Sequence, residues 1–103
     1  MEPVSIDEVR AHLRLGSDTS EDAYLGALAI AARRAVEHQT GHRLADGVET
    51  LDGADMKVAA HAILLLVGTW YANRESIVTG VSAAEMPQSV SWLLAPLRIW
   101  PSA

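Results

Sequence analysis

The sequence predicts an all-α fold: a small four-helix bundle-like domain with a long central helix and an irregular loop between helices 2 and 3. Half of the 103 residues are hydrophobic, but only three Trp and two Tyr are aromatic, so the apolar content is mostly Ala, Leu, Val and Ile. This composition favours helix over sheet. Apolar residues also recur at steps of three and four along two long segments. A chain of this length has room for one modest core, so we expect a single domain over residues 1–103.

The first two helices carry clear boundary signals. Ser5 and Glu8 form a capping-box pattern, which predicts a helix from about Ile6 to Arg14 that stops at Gly16. A second helix is predicted from about Ser20 to Thr40, with Gly41 as its left-handed end. Its start has three candidate capping residues, Asp18, Thr19 and Ser20. Its predicted buried stripe consists of Leu25, Leu28, Ala32, Ala35 and Val36.

The second half of the chain predicts a long helix, a connection and a short helix. The loop over residues 42–55 has broken periodicity and includes at most a brief extended piece around Val48 to Leu51. The central helix is predicted from about Ala54 to Asn73. The polar connection from Ser76 to Met86 is expected to be mobile and to order on assembly. The last helix begins near Pro87 and ends near Leu94.

Charge and composition exclude several classes of protein. Thirteen acids against eight bases give a formal charge of −5, the wrong sign for a domain that depends on phosphate contacts. The absence of cysteine removes disulfides and thiolate metal sites. The first ten residues lack a signal-peptide pattern. The uncharged run between His61 and Asn73 is shorter than the roughly 20 residues of a membrane span, so we expect no membrane contact.

No enzymatic site is recognisable. His38 and His42 have a spacing that suits two zinc ligands, but Gly41 ends the helix between them, so we expect no metal site. The sequence has neither a glycine-flanked nucleophile nor a phosphate-binding glycine loop. We therefore expect no enzyme activity and no cofactor. Arg33 and Arg34 beside Glu37 are predicted to form a solvated edge.

Small and aromatic side chains leave two interpretations open. The Gly and Ala residues of the second helix either pack inside the fold or form a smooth face against another copy of the chain. The end of the central helix is either a buried aromatic end with a structural Arg-Glu cap or a subunit contact; its residues are Trp70, Tyr71, Asn73, Arg74 and Glu75. Trp100, near the C-terminus, either folds back onto the core or anchors a partner.

Four segments together resemble the head-tail connector (adaptor) proteins of long-tailed bacteriophages, prophages and gene transfer agents. They are "VSIDEVRAHLRL", "EDAYLGALAIAARRAVEHQTGHRL", "AAHAILLLVGTWYANRESIV" and "MPQSVSWLLAPLRIW", in the order and spacing of that family. The resemblance covers nearly the whole chain. The sequence departs from the family pattern mainly between Leu44 and Asp55, where it is shorter than in many relatives.

The resemblance implies a structural virion protein at the head-tail junction, present in the host cytoplasm during assembly. It implies a ring, dodecameric in the particle, that lies under the portal protein, extends the DNA channel and docks a tail-side connector or stopper protein. DNA would pass through without sequence-specific binding. The expected oligomer interface comprises Ala27, Ala31, Arg34, Trp70, Tyr71, Arg74 and Glu75. The expected docking residues for the portal or a neighbour are Trp92, Leu97, Arg98, Ile99 and Trp100.

The alternative function is a small helical DNA-binding or regulatory module encoded in a prophage. A helix-turn-helix protein of this kind needs a basic recognition helix, and neither long helix supplies one. Salt-dependent binding of duplex DNA would favour this alternative.

Overall fold

All regular secondary structure in the described part of the chain is helical. A computed structural model describes residues 3–45, 47, 49–51, 53–72 and 88–99. It contains four α-helices in these ranges, followed by a 3-10 turn over Ala95–Leu97. The helices are α1 Ile6–Leu13, α2 Asp22–Thr40, α3 Gly53–Ala72 and α4 Gln88–Leu94. The predicted all-α class and the long central helix are confirmed.

Both ends of α1 are closed by local hydrogen bonds. Ser5 Oγ accepts from the Glu8 N–H at 3.1 Å, and Glu8 Oε1 accepts from the Ser5 N–H at 2.9 Å, so the predicted capping box is present. The helix ends at Leu13, and its C-cap residue Arg14 has a left-handed φ of 60°. The left-handed residue therefore falls two residues before Gly16, because the Arg14 and Leu15 N–H groups already bond back to the last carbonyls of α1.

Helix α2 begins slightly later than predicted and ends where predicted. Glu21 is the N-cap residue and makes no side-chain capping bond. Asp18 instead accepts from the Ser20 N–H at 3.0 Å within the preceding loop. At the other end, Gly41 has a φ of 79° and donates its N–H to the Glu37 carbonyl at 2.8 Å. The predicted left-handed glycine is confirmed.

The core lies between α2 and α3, and α1 and α4 pack on the outside of this pair. Of the predicted α2 stripe, Ala35 is half-buried and the other four residues are buried. From α3, the fully buried residues are Ala59, Ala62, Ile63, Leu66 and Val67. Helix α4 contributes Val90 and Leu94. Because the core is built from aliphatic and small side chains, the helices can approach closely.

A close helix contact forms where α1 crosses α3. A Cβ atom built on Gly68 would lie 3.2 Å from His12 Nε2, so the glycine provides the room for this crossing.

Within the described residues, no helix is long and apolar enough to cross a membrane.

The loop after α2 is held by Thr50 rather than by a strand. The Thr50 N–H donates to the Arg43 carbonyl at 3.0 Å, and Thr50 Oγ1 accepts from the Arg43 N–H at 3.1 Å. The predicted extended piece is not a strand in its described residues, 49–51, and Val48 lies outside the described ranges.

Candidate assembly surfaces

One face of α2 is exposed along its whole length. Its residues share one side of the helix and are Ala23, Ala27, Ile30, Ala31, Arg34 and His38. Ile30 is 47% exposed although it is a large apolar residue in the middle of a helix. We call this surface the outer face of α2. A helix with one apolar face in the core and a second one in solvent offers more contact surface than its own fold uses.

Some small residues of α2 pack inside the fold, and others form an exposed face that another copy could cover. Ala29 and Ala32 are buried and pack inside the fold. Ala27 and Ala31 are exposed, and Arg34, the third predicted interface residue of this helix, lies on the same outer face. The three residues therefore share one surface, and whether another copy covers it remains a prediction.

The aromatic end of α3 packs against the chain's own α2. Tyr71 donates its hydroxyl to Glu21 Oε1 at 2.6 Å, and its ring lies 6.3 Å from that of Tyr24 at an angle of 45°. Trp70 is half-buried against the core, and its Nε1 has no hydrogen-bond partner among the described residues. Arg74 and Glu75 lie outside the described residues. The end of α3 thus lies beside the start of α2.

A buried ionic cluster at the end of α2 was not predicted. Arg33 and Glu37 are 7% and 5% exposed, so the expectation of a solvated edge is wrong for these two residues. Glu37 accepts from Arg33 Nη1 at 3.0 Å, from Arg34 Nη1 at 2.8 Å and from the Leu44 N–H at 2.9 Å. Arg43 Nε lies 3.8 Å from the same carboxylate. The carboxylate can be buried because three hydrogen-bond donors replace its water and a third cation lies nearby.

These contacts change the acidity of Glu37. Burial raises the pKa of its carboxyl, but the Leu44 N–H and the guanidinium groups of Arg33 and Arg34 outweigh burial and hold the pKa below its ordinary value. The group is therefore charged at neutral pH. It joins α2 to the loop that follows it.

An open cavity of about 260 Å³ lies beside this cluster, lined by Arg34, Glu37, His38, Gly41, His42 and Arg43. The two histidines considered as zinc ligands do not share a helical face, because α2 ends between them. His42 Nδ1 lies 2.7 Å from Thr50 Oγ1. Within the described ranges, no three His, Asp or Glu side chains are placed to hold a metal ion. The cavity is lined by more positive than negative side chains.

The segment after α4 is attached to the end of α2. Arg98 Nε donates to the Gln39 carbonyl at 3.2 Å, and the Ile99 N–H donates to the Thr40 carbonyl at 2.8 Å. The Ile99 side chain is 57% exposed and lies against Gly41, where an added Cβ would be 3.3 Å from Ile99 Cβ. Two of the predicted docking residues therefore have structural contacts that the sequence did not indicate.

The other predicted docking residues differ in their surroundings. Trp92 is 70% exposed on α4. Leu97 is half-buried against the core. Trp100 lies outside the described residues. Among the described residues of this region, Trp92 and Ile99 are the large apolar side chains exposed to solvent.

These features define a small helical protein that presents apolar contact surfaces, and one comparison identifies its family. The family model "Phage gp6-like head-tail connector protein" matches residues 3–98. The chain therefore belongs to this family of structural phage proteins, which act at the head-tail junction of the virion with portal and tail proteins. Neither the curated proteins nor the solved structures include a match to the chain.

Proposed function

We propose that the protein is the subunit of a closed ring, dodecameric in the particle, that lies under the portal and extends the DNA channel. Residues 1–103 form its single domain. The observation that carries this proposal is the exposed outer face of α2 in a member of the head-tail connector family. Rings are built from heterologous contacts, in which one surface of each copy meets a different surface of the next.

The outer face of α2 supplies one of the two surfaces. Ala27 and Ala31 allow close approach, and Ile30 supplies apolar area that the subunit leaves in solvent. The second surface is formed by the end of α3 and the start of α2, where a hydrogen bond between Tyr71 and Glu21 already orders both side chains. A pre-ordered surface loses little side-chain entropy on association, which favours binding.

Helix α4 and the segment after it supply the contact to the portal or to a tail-side connector or stopper protein. Trp92 and Ile99 are apolar and exposed, and Trp is a frequent anchor of protein interfaces. Arg98 and the Ile99 N–H fix the segment to α2, so the side chains are presented from a defined position. The protein would enter the virion after it meets the portal in the host cytoplasm.

The charge of the chain suits a channel through which DNA moves. A subunit with a net charge of −5 repels the phosphate backbone and does not retain it. DNA therefore passes through the ring without sequence-specific binding.

The test is native mass spectrometry and electron microscopy of the chain mixed with its cognate portal. We expect a ring of the chain on the portal, with one subunit per portal subunit. A portal that stays bare at high concentrations of the chain would contradict the proposal. A monomer in the absence of the portal would not, because the portal can template the ring.

A fluorescence titration with duplex DNA at low salt addresses the alternative of a DNA-binding module. We expect no binding, since long-range repulsion is strongest at low ionic strength. Tight binding that weakens steeply with added salt would instead support the alternative.

A further inference from the structure

The charges of the chain are separated along α2. Residues 5–22 contain five acids and two arginines, a net charge of −3. Residues 33–43 contain three arginines and one glutamate, a net charge of +2 with both histidines neutral. Residues 5–22 meet the start of the 19-residue helix α2, where Arg10 donates to Asp22, and residues 33–43 include its end. The helix is about 28 Å long at 1.5 Å per residue. Each subunit therefore has an acidic end, residues 5–22, and a basic end, residues 33–43.

The basic end is shaped to receive a carboxylate. Its open cavity is lined by Arg34 and Arg43, whose side chains are 54% and 48% exposed. Arg34 uses Nη1 for Glu37, and a guanidinium group carries five N–H donors in a planar fork that matches a carboxylate. Glu49 follows in the loop but does not line the cavity.

The acidic end presents its carboxylates from a fixed loop. Asp18 is exposed and accepts from the Ser20 N–H at 3.0 Å, which orients its side chain. The loop continues into Glu21, which is bonded to Tyr71 at the end of α3. The acidic end thus adjoins the surface proposed above to face a neighbouring subunit.

We propose that the acidic loop of one copy, with Asp18 at its centre, docks into the basic cavity of the next copy, between Arg34 and Arg43. This inference rests on the proposed ring and specifies how its subunits are oriented: head to tail along α2. The occupant is a second copy because this chain carries the complementary charge at the opposite end of the same helix. Attraction between opposite charges orients the encounter. Repulsion between like charges disfavours the pairing of two acidic ends or two basic ends.

A phosphate of DNA is the other anion that two arginines would accept. It is disfavoured because DNA binding accumulates many phosphate contacts along a basic surface, whereas this positive cavity belongs to a chain of net charge −5. A protein carboxylate needs only one such cavity.

The chain has no cysteine, so introduced thiols can report this contact. Thr19→Cys labels the acidic loop and His38→Cys labels the basic cavity; both positions are exposed. Each variant chain carries a single cysteine, so a disulfide within one chain is excluded and every dimer reports a contact between copies. Lys57→Cys, at an exposed position of α3, is the matched control.

On a portal that carries the ring, oxidation of an equal mixture of T19C and H38C should give the mixed dimer. We expect its yield to be roughly tenfold above that of T19C mixed with K57C, because an oriented contact brings the thiols within bonding distance. The excess should disappear in about 1 M salt, where the Debye length is only about 3 Å. Asp18→Asn in the T19C chain keeps the acceptor for the Ser20 N–H but removes the charge, and should lower the yield several-fold.

Three results would overturn the inference. The first is equal yields of the mixed dimer and the K57C pairing on a portal that carries the ring, which would leave the ring proposal intact. The second is a preference that persists in high salt and in the D18N variant. The third is salt-dependent binding of duplex DNA that Arg34→Gln abolishes, since phosphate would then be the ligand.

Discussion

Glu37 connects helix α2 to the loop that follows it. Its carboxylate accepts from two arginines of the same helix and from the Leu44 N–H of the loop. The sequence pattern placed Arg33 and Glu37 in solvent because charged residues at helical spacing are usually exposed. The donor that decides the outcome is a backbone N–H, and no pattern of side chains reveals where a loop will place it.

Replacement of Glu37 tests how much this cluster stabilises the fold. Glu37→Gln removes the charge that compensates buried Arg33, and we expect the free energy of unfolding to fall by about 3 kcal/mol, as for other broken buried ion pairs. Urea denaturation followed by circular dichroism measures the change. Glu49→Gln is the control, since Glu49 is exposed, and should change stability by less than about 0.5 kcal/mol. Equal effects of the two variants would contradict the role given to Glu37.

The same carboxylate should make stability depend on pH. Its pKa is lower in the folded chain than the ordinary value of 4.5, so the folded state binds this proton less readily than the unfolded state. The stabilisation is fully present above the ordinary pKa and is lost as the pH falls through the folded pKa. Urea midpoints measured from neutral to acidic pH should therefore fall more steeply for the native chain than for Glu37→Gln. Parallel curves would show that Glu37 does not contribute.

At the scale of the helices, the sequence predicts the ends of helices better than the contacts between them. The capping box of Ser5 and the left-handed Gly41 depend on neighbours in sequence, so both were predicted. The bonds from Arg98 to Gln39 and from Tyr71 to Glu21 join residues 59 and 50 positions apart. Such pairs depend on how the helices pack, and one sequence without its fold does not specify them. The apolar periodicity located the core of α2 and α3, but it did not show that Ile30 would remain exposed.

Two glycines, one inside α2 and one directly after it, should respond in opposite directions to substitution by alanine. Gly41→Ala forces a side chain into a left-handed conformation and towards Ile99, so we expect a loss of about 1–2 kcal/mol in stability. Gly26→Ala meets no atom within 4 Å in the helix interior and should stabilise by about 0.5–1 kcal/mol. Urea denaturation measures both. Hydrogen exchange at the Ile99 amide should increase in Gly41→Ala alone, because that amide bonds to Thr40.

At the scale of the molecule, the same helix serves two purposes. One side of α2 fills the core with Leu25, Leu28 and Val36, and the other side leaves small and apolar residues in solvent. Alanine is favourable in a helix whether or not it is covered, so the outer face is stable in a lone subunit. It also lets another backbone approach closely. Folding and assembly can therefore be separated by mutations on the two sides of one helix.

Ala27→Arg makes this separation measurable. Arginine is a good helix former, and position 27 is exposed, so the free energy of unfolding should stay within about 0.5 kcal/mol of the native value. On the portal, the long charged side chain should prevent close contact at the outer face of α2 and abolish the ring in electron micrographs. Ala54→Arg adds the same side chain at an exposed position of α3 and should leave the ring intact. If both variants assembled equally well, the interface would have to lie on another surface of the subunit, since a buried contact cannot accommodate an unpaired arginine at its centre.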